Sequence, residues 1–139
     1  MYGDTAAGRK RVAQLREQGG DIRALAARLV SQAEAVPWHG KAAEAMRVRI
    51  KERADRLRAA AAQHETAAES LARHLTEVDS LKEAIEVRAH KATSLVEDAR
   101  TRASEAGDAG SDSAEAALVA FDPPPAGHKD WLTVDLPGL

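Results

Sequence analysis

From Arg9 onward the apolar positions Val12, Leu15, Ile22, Leu25, Ala26, Leu29, Ala33 and Val36 recur at spacings of three, four and seven residues. That spacing is one face of a helix. Gly19-Gly20 interrupts the pattern, at about 1 kcal/mol per glycine relative to Ala in a helix interior. The pair marks either a kink or a fresh start capped by Asp21, and the unbroken phase of Leu15, Ile22, Leu29 and Val36 favours one kinked helix. Val36-Pro37-Trp38-His39-Gly40 then forces a reversal. Proline cannot continue the helix and biases Val36 away from helical dihedrals, while Gly40 accepts backbone angles closed to other residues. The large Trp38 ring is expected to pack across the open end of the resulting hairpin.

No Gly or Pro occurs from Lys41 to Ala106, and here the repeat is more regular. One register reads Ile50, Leu57, His64, Leu71, Val78, Ile85, Ala92 and Ala99; its neighbour reads Ala54, Ala61, Ala68, Leu75, Lys82, Ala89, Val96 and Ala103. A period of seven is the signature of coiled-coil packing. As one helix this segment would be about 100 Å long, against about 42 Å for a first helix from Arg9 to Val36. Beyond about residue 72 the stripe has no cover unless the chain bends back or another chain supplies it. Ser80 with Glu83 has capping-box spacing, so either a third helix begins there or Ser80 lies on the solvent face of one long helix.

The expected fold is all-α: an antiparallel helical hairpin over residues 1–106 with an overlong second helix and coiled-coil-like packing, then a flexible tail over 107–139. Gly107 to Ser113 reads as a linker. Asp112 or Ser113 can cap a short helical turn through Ala120, and Phe121-Asp-Pro-Pro-Pro-Ala-Gly127 follows as an extended spacer. The closing stretch, with Trp131, Leu132, Val134, Leu136 and Leu139, is too apolar for an ordinary solvated terminus and resembles a docking peptide.

Composition sharpens this picture. Of 139 residues 31 are Ala and only four are aromatic, so burial per residue is modest and cover from a partner is expected. The net charge of −2 conceals a gradient: residues 1–58 carry +6, residues 59–96 carry −2 and residues 97–139 carry −6. Such polarity suits association between chains as much as contact with phosphate. With no cysteine there is neither a disulfide framework nor a thiolate metal site, and the first residues show no charged segment leading into an apolar core, so no Sec signal peptide is readable.

A Trp-X-Gly turn at Trp38-His39-Gly40, between two helices of a small cysteine-free chain, resembles the WXG family exported by type VII (ESX) secretion systems, over roughly residues 9 to 80. The resemblance implies a non-catalytic helical protein acting as substrate, co-secreted partner or adaptor, secreted without a Sec signal peptide, and pairing as a homodimer or heterodimer with another small helical protein. The interface would use Ile50, Leu57, His64, Leu71, Leu75, Val78, Ile85 and Val96. It also implies an export motif, Tyr-x-x-x-Asp/Glu, after the second helix. The only tyrosine here is Tyr2; the nearest match is Trp131-Leu-Thr-Val-Asp135, in which Trp replaces Tyr beyond a proline spacer. That pair is either an export motif or part of a tail that docks on its own hairpin or on a partner.

Enzymatic readings fail on inventory. The five histidines His39, His64, His74, His90 and His128 form no His-Glu-x-x-His zinc motif and no di-iron spacing, and there is no phosphate loop or nucleophile elbow. No catalytic residue, metal, cofactor or small-molecule substrate is expected. The basic cluster Arg47, Arg49, Lys51, Arg53, Arg56 and Arg58 lacks interleaved aromatic residues, which favours a solvated helix flank over a nucleic-acid site. Two rivals remain: a cytoplasmic coiled-coil scaffold or chaperone for a client protein, and a weak nucleic-acid-associated helical protein.

Overall fold

The computed structural model describes residues 5–37, 39–106 and 113–139. Their regular elements are all helical, without a strand among them: α1 (Thr5–Ala35), α2 (Lys41–Ala106), α3 (Ser113–Val119) and a short 3-10 helix (Lys129–Thr133). The chain divides into two compact units, one ending at Thr76 and the other running from Glu77 to Leu139, so the boundary falls inside α2 and well ahead of the linker composition at 107.

In the first unit α1 and α2 pack on each other through small residues. Val12, Gly19 and Ala26 of α1 are buried, as are Ala43, Ala54, Ala61, Ala68 and Leu75 of α2. Contacts run in opposite order along the two helices: a Cβ at Gly8 would meet Leu75, one at Gly19 would meet Ala61, and Leu29 and Val36 share a groove with Met46 and Ile50. The centre of the seam is the alanine register. Ile50, Leu57, His64 and Leu71 are only half-buried beside it. Helices approach most closely where side chains are smallest, which puts Gly and Ala on the line between the axes and the branched residues on its flank.

The two glycines at 19 and 20 do not interrupt α1, and their environments differ. A Cβ at Gly19 would lie 3.4 Å from the Ala61 carbonyl oxygen, whereas one at Gly20 meets nothing within 4 Å. Gly20→Ala should therefore stabilise the protein by about 0.5–1 kcal/mol through the helix backbone alone. Thermal unfolding that shows a lower midpoint for this variant would contradict the assignment of position 20 to an open helix face.

The reversal follows from local chemistry. Arg47 Nη2 donates to the Val36 carbonyl at 3.2 Å, satisfying a group that Pro37 cannot let the helix use. Gly40 takes a φ of +102° and its carbonyl accepts the Glu44 N–H at 3.1 Å, opening α2. Trp38, expected to close the turn, lies outside the described residues.

α2 then continues for 66 residues, so the break considered at Ser80 does not occur; Ser80 is exposed on the helix. No helix-breaking residue follows it, and burial of Ile85, Ala92, Val96 and Ala99 supports the same helix. What covers them is the tail. Leu118, Trp131 and Leu136 are buried against these residues, with Phe121, Leu132, Val134 and Leu139 packed around them. The stripe expected to lack intramolecular cover thus has it, and the tail expected to be flexible is folded, because its closely spaced apolar side chains match the apolar face left on α2.

Candidate functional site

The first unit has two unlike flanks. Leu15, Ile22 and Leu29 precede the seam positions Gly19, Ala26 and Ala33 by four residues, and Ile50, Leu57, His64 and Leu71 precede Ala54, Ala61, Ala68 and Leu75 by the same step. On two facing helices of opposite direction, equal angular offsets fall on one side. The contacts agree. Leu29 and Val36 line one groove of about 170 Å³ together with Met46 and Ile50, while Leu15 and Leu71 both pack on the Val12–Ala68–Leu75 cluster. Leu25 and Met46, 42% and 44% exposed, extend this apolar flank outward.

The opposite flank is charged. Arg23 donates from Nε and Nη2 to both carboxylate oxygens of Glu65, at 2.6 and 2.9 Å, and Arg58 pairs with Asp55 at 3.1 Å. The hydrogen bond from Arg23 holds the Glu65 carboxyl below its ordinary value, and the same bond raises the Arg23 guanidinium. A depressed carboxyl contributes stability that is complete above its unfolded value and is lost as the pH falls through the folded one. Glu65→Gln should accordingly lower neutral stability and flatten the acid limb of the stability profile by the same small amount, small because both groups are about half exposed. Denaturant unfolding between pH 2 and 7 checks this, and an unaltered acid limb would assign the dependence to other carboxylates.

The expected site residues have unequal fates. Leu75, Ile85 and Val96 are buried within the chain itself, at 8%, 7% and 7% exposure, so in this fold they have no free surface to offer a partner. Ile50, Leu57, His64, Leu71 and Val78 are half-buried. His64 is satisfied locally, its Nδ1 lying 2.9 Å from the Ala60 carbonyl. Gly40 stands at the turn, and Trp38 is not described. Trp131 and Asp135 do not share a helix face: the 3-10 helix ends at Thr133 and Val134 is extended, which turns the indole inward and the carboxylate outward. Among the described residues no group of His, Cys, Asp and Glu is placed to hold a metal ion, and no helix is long and apolar enough to cross a membrane.

Arg88 was not singled out by its sequence position. Half-buried, it donates from Nε to the Trp131 carbonyl at 2.9 Å and from Nη2 to the Val134 carbonyl. The available signal was its place three residues after Ile85 and four before Ala92, a charge set into an apolar face. The Trp131 Nε1–H donates to the Pro125 carbonyl at 3.0 Å, and Phe121 meets the indole edge-on, with centroids 6.1 Å apart. The His128 ring Nδ1 accepts the Asp130 N–H and caps the 3-10 helix.

The fold and its surfaces define an all-α protein with a helix-packing seam, one apolar flank and a docked C-terminal segment. Comparison of the chain with protein-family models, with characterised proteins and with solved structures finds no match.

Proposed function

We propose that this chain is a non-catalytic helical interaction protein, resembling the WXG substrates or co-secreted partners of type VII secretion, and that it associates through the apolar flank of its first unit. In it, α1 and the first half of α2 form an antiparallel hairpin with coiled-coil spacing. The observation that carries the reading is the one-sidedness of that hairpin. Leu15, Ile22, Leu25, Leu29, Met46, Ile50, Leu57 and Leu71 line one flank, with His64 among them and Arg47 at the end of its groove, while Arg23, Arg58 and Glu65 occupy the other.

The flank runs over some 20 residues, roughly 30 Å at the helical rise, and is two close helices wide. Two such faces would bury on the order of 1,000 Å², about what a specific complex requires. A second copy or another small helical protein would fit. Leu25→Lys combined with Leu57→Lys should abolish association at micromolar concentration in light scattering, with helix content retained by circular dichroism. A wild-type chain that stays monomeric both alone and with neighbouring small helical proteins would defeat the reading.

Export is tested separately, by culture supernatant from strains with and without a working type VII ATPase. The inward Trp131 and outward Asp135 favour a second reading, a cytoplasmic scaffold or chaperone that needs no export motif, and absence of the chain from both supernatants would select it.

A further inference from the structure

α2 meets two different kinds of cover. In the first unit its stripe Ala54, Ala61, Ala68 and Leu75 receives a helix, α1, that offers Val12, Gly19 and Ala26 at the same spacing. In the second unit the buried stripe Ile85, Ala92 and Ala99, joined by Val96, has the same seven-residue spacing, yet the segment 113–139 lays on it a seven-residue helix, a five-residue 3-10 helix and irregular chain. Neither short helix is stable without the surface beneath it. Beyond apolar contact, two charged groups of α2 hold this cover: Arg102, paired with Glu115 at 3.0 Å, and Arg88, bonded to two carbonyls on either side of the 3-10 helix end.

We propose that the stripe Ile85-Ala92-Ala99 is a second helix-binding surface, closed in the resting chain by the segment 113–139 with Arg88 as the latch. The partner that fits is an amphipathic helix with small residues at every seventh position, because α2 shows over its first half what an alanine stripe accepts. Arg88 suits the role. Its guanidinium bonds backbone carbonyls, which a competing helix does not present along its length, so exchange of the cover loses both bonds at once. This surface is separate from the flank of the first unit and does not depend on how that flank associates.

The test uses the full-length chain and a fluorescently labelled peptide of residues 5–35 as the helix probe, with unlabelled peptide 113–139 as competitor. Wild type should bind the probe weakly. Arg88→Ala, which removes both bonds to carbonyls, and Trp131→Ala, which removes the anchor, should each bind it roughly tenfold or more tightly. The competitor should reverse the gain. Replacement of α1 in the first unit by the probe would be equal in all three chains and indifferent to peptide 113–139. Equal affinity across the three chains, or a gain that the competitor does not reverse, would overturn the proposal.

Discussion

Trp131→Ala should destabilise the second unit by about 3–5 kcal/mol, the cost of truncating a large aromatic side chain in a packed core. The indole is only 4% exposed, it supplies the hydrogen bond to Pro125, and it bridges Phe121 to the α2 surface formed by Ile85, Ala92 and Val96. Its removal leaves a cavity and takes one of the two hydrogen bonds that the Pro125 carbonyl accepts, the His128 N–H keeping the other, and the ordered tail loses its largest contribution to burial. The loss should be confined to one unit, so the variant should unfold in two separate transitions. Amide exchange is the suitable measurement. Residues of the 3-10 helix and α3 should lose protection while the seam around Ala61 keeps it. Protection of the tail at wild-type levels would show that some other contact anchors it.

Ala61→Leu should cost about 1–3 kcal/mol in the first unit, through overpacking instead of lost burial. Ala61 is fully buried and its carbonyl oxygen would lie 3.4 Å from a Cβ placed at Gly19, leaving no room for three further carbons between the helices. The wedge has to part the helices near the middle of their contact, which also stretches the Arg23–Glu65 pair. Ala59→Leu, on the exposed face two residues earlier, is the control and should fall within about 0.5 kcal/mol of wild type. If both substitutions cost equally little in denaturant unfolding, the small-residue seam is not the contact that sets the distance between the helices.

The helical frame was legible because its signals are local. Seven-residue spacing, the Pro37 and Gly40 punctuation, and the absence of breakers from Lys41 to Ala106 depend only on neighbours along the chain. The pattern did not rank the two registers. Hydrophobicity gives Leu57 more weight than Ala61, yet closest approach favours the smaller side chain, so Ala61 is fully buried and Leu57 stands on the flank. The same limit applies at the other end. Trp131 and Asp135 are four apart, which means one face only on an α-helix, and Val134 is extended.

The sequence by itself determined the elements, the turn, and the apolar character of both the long stripe and the tail. Which apolar surface covers which was decided by tertiary structure alone. Burial is proportional to matched area and carries no address, so an uncovered stripe and an apolar tail can find each other, a second chain, or a partner. Here the tail docks on Ile85, Ala92, Val96 and Ala99, while Leu25 and Met46 on the flank of the first unit stay exposed.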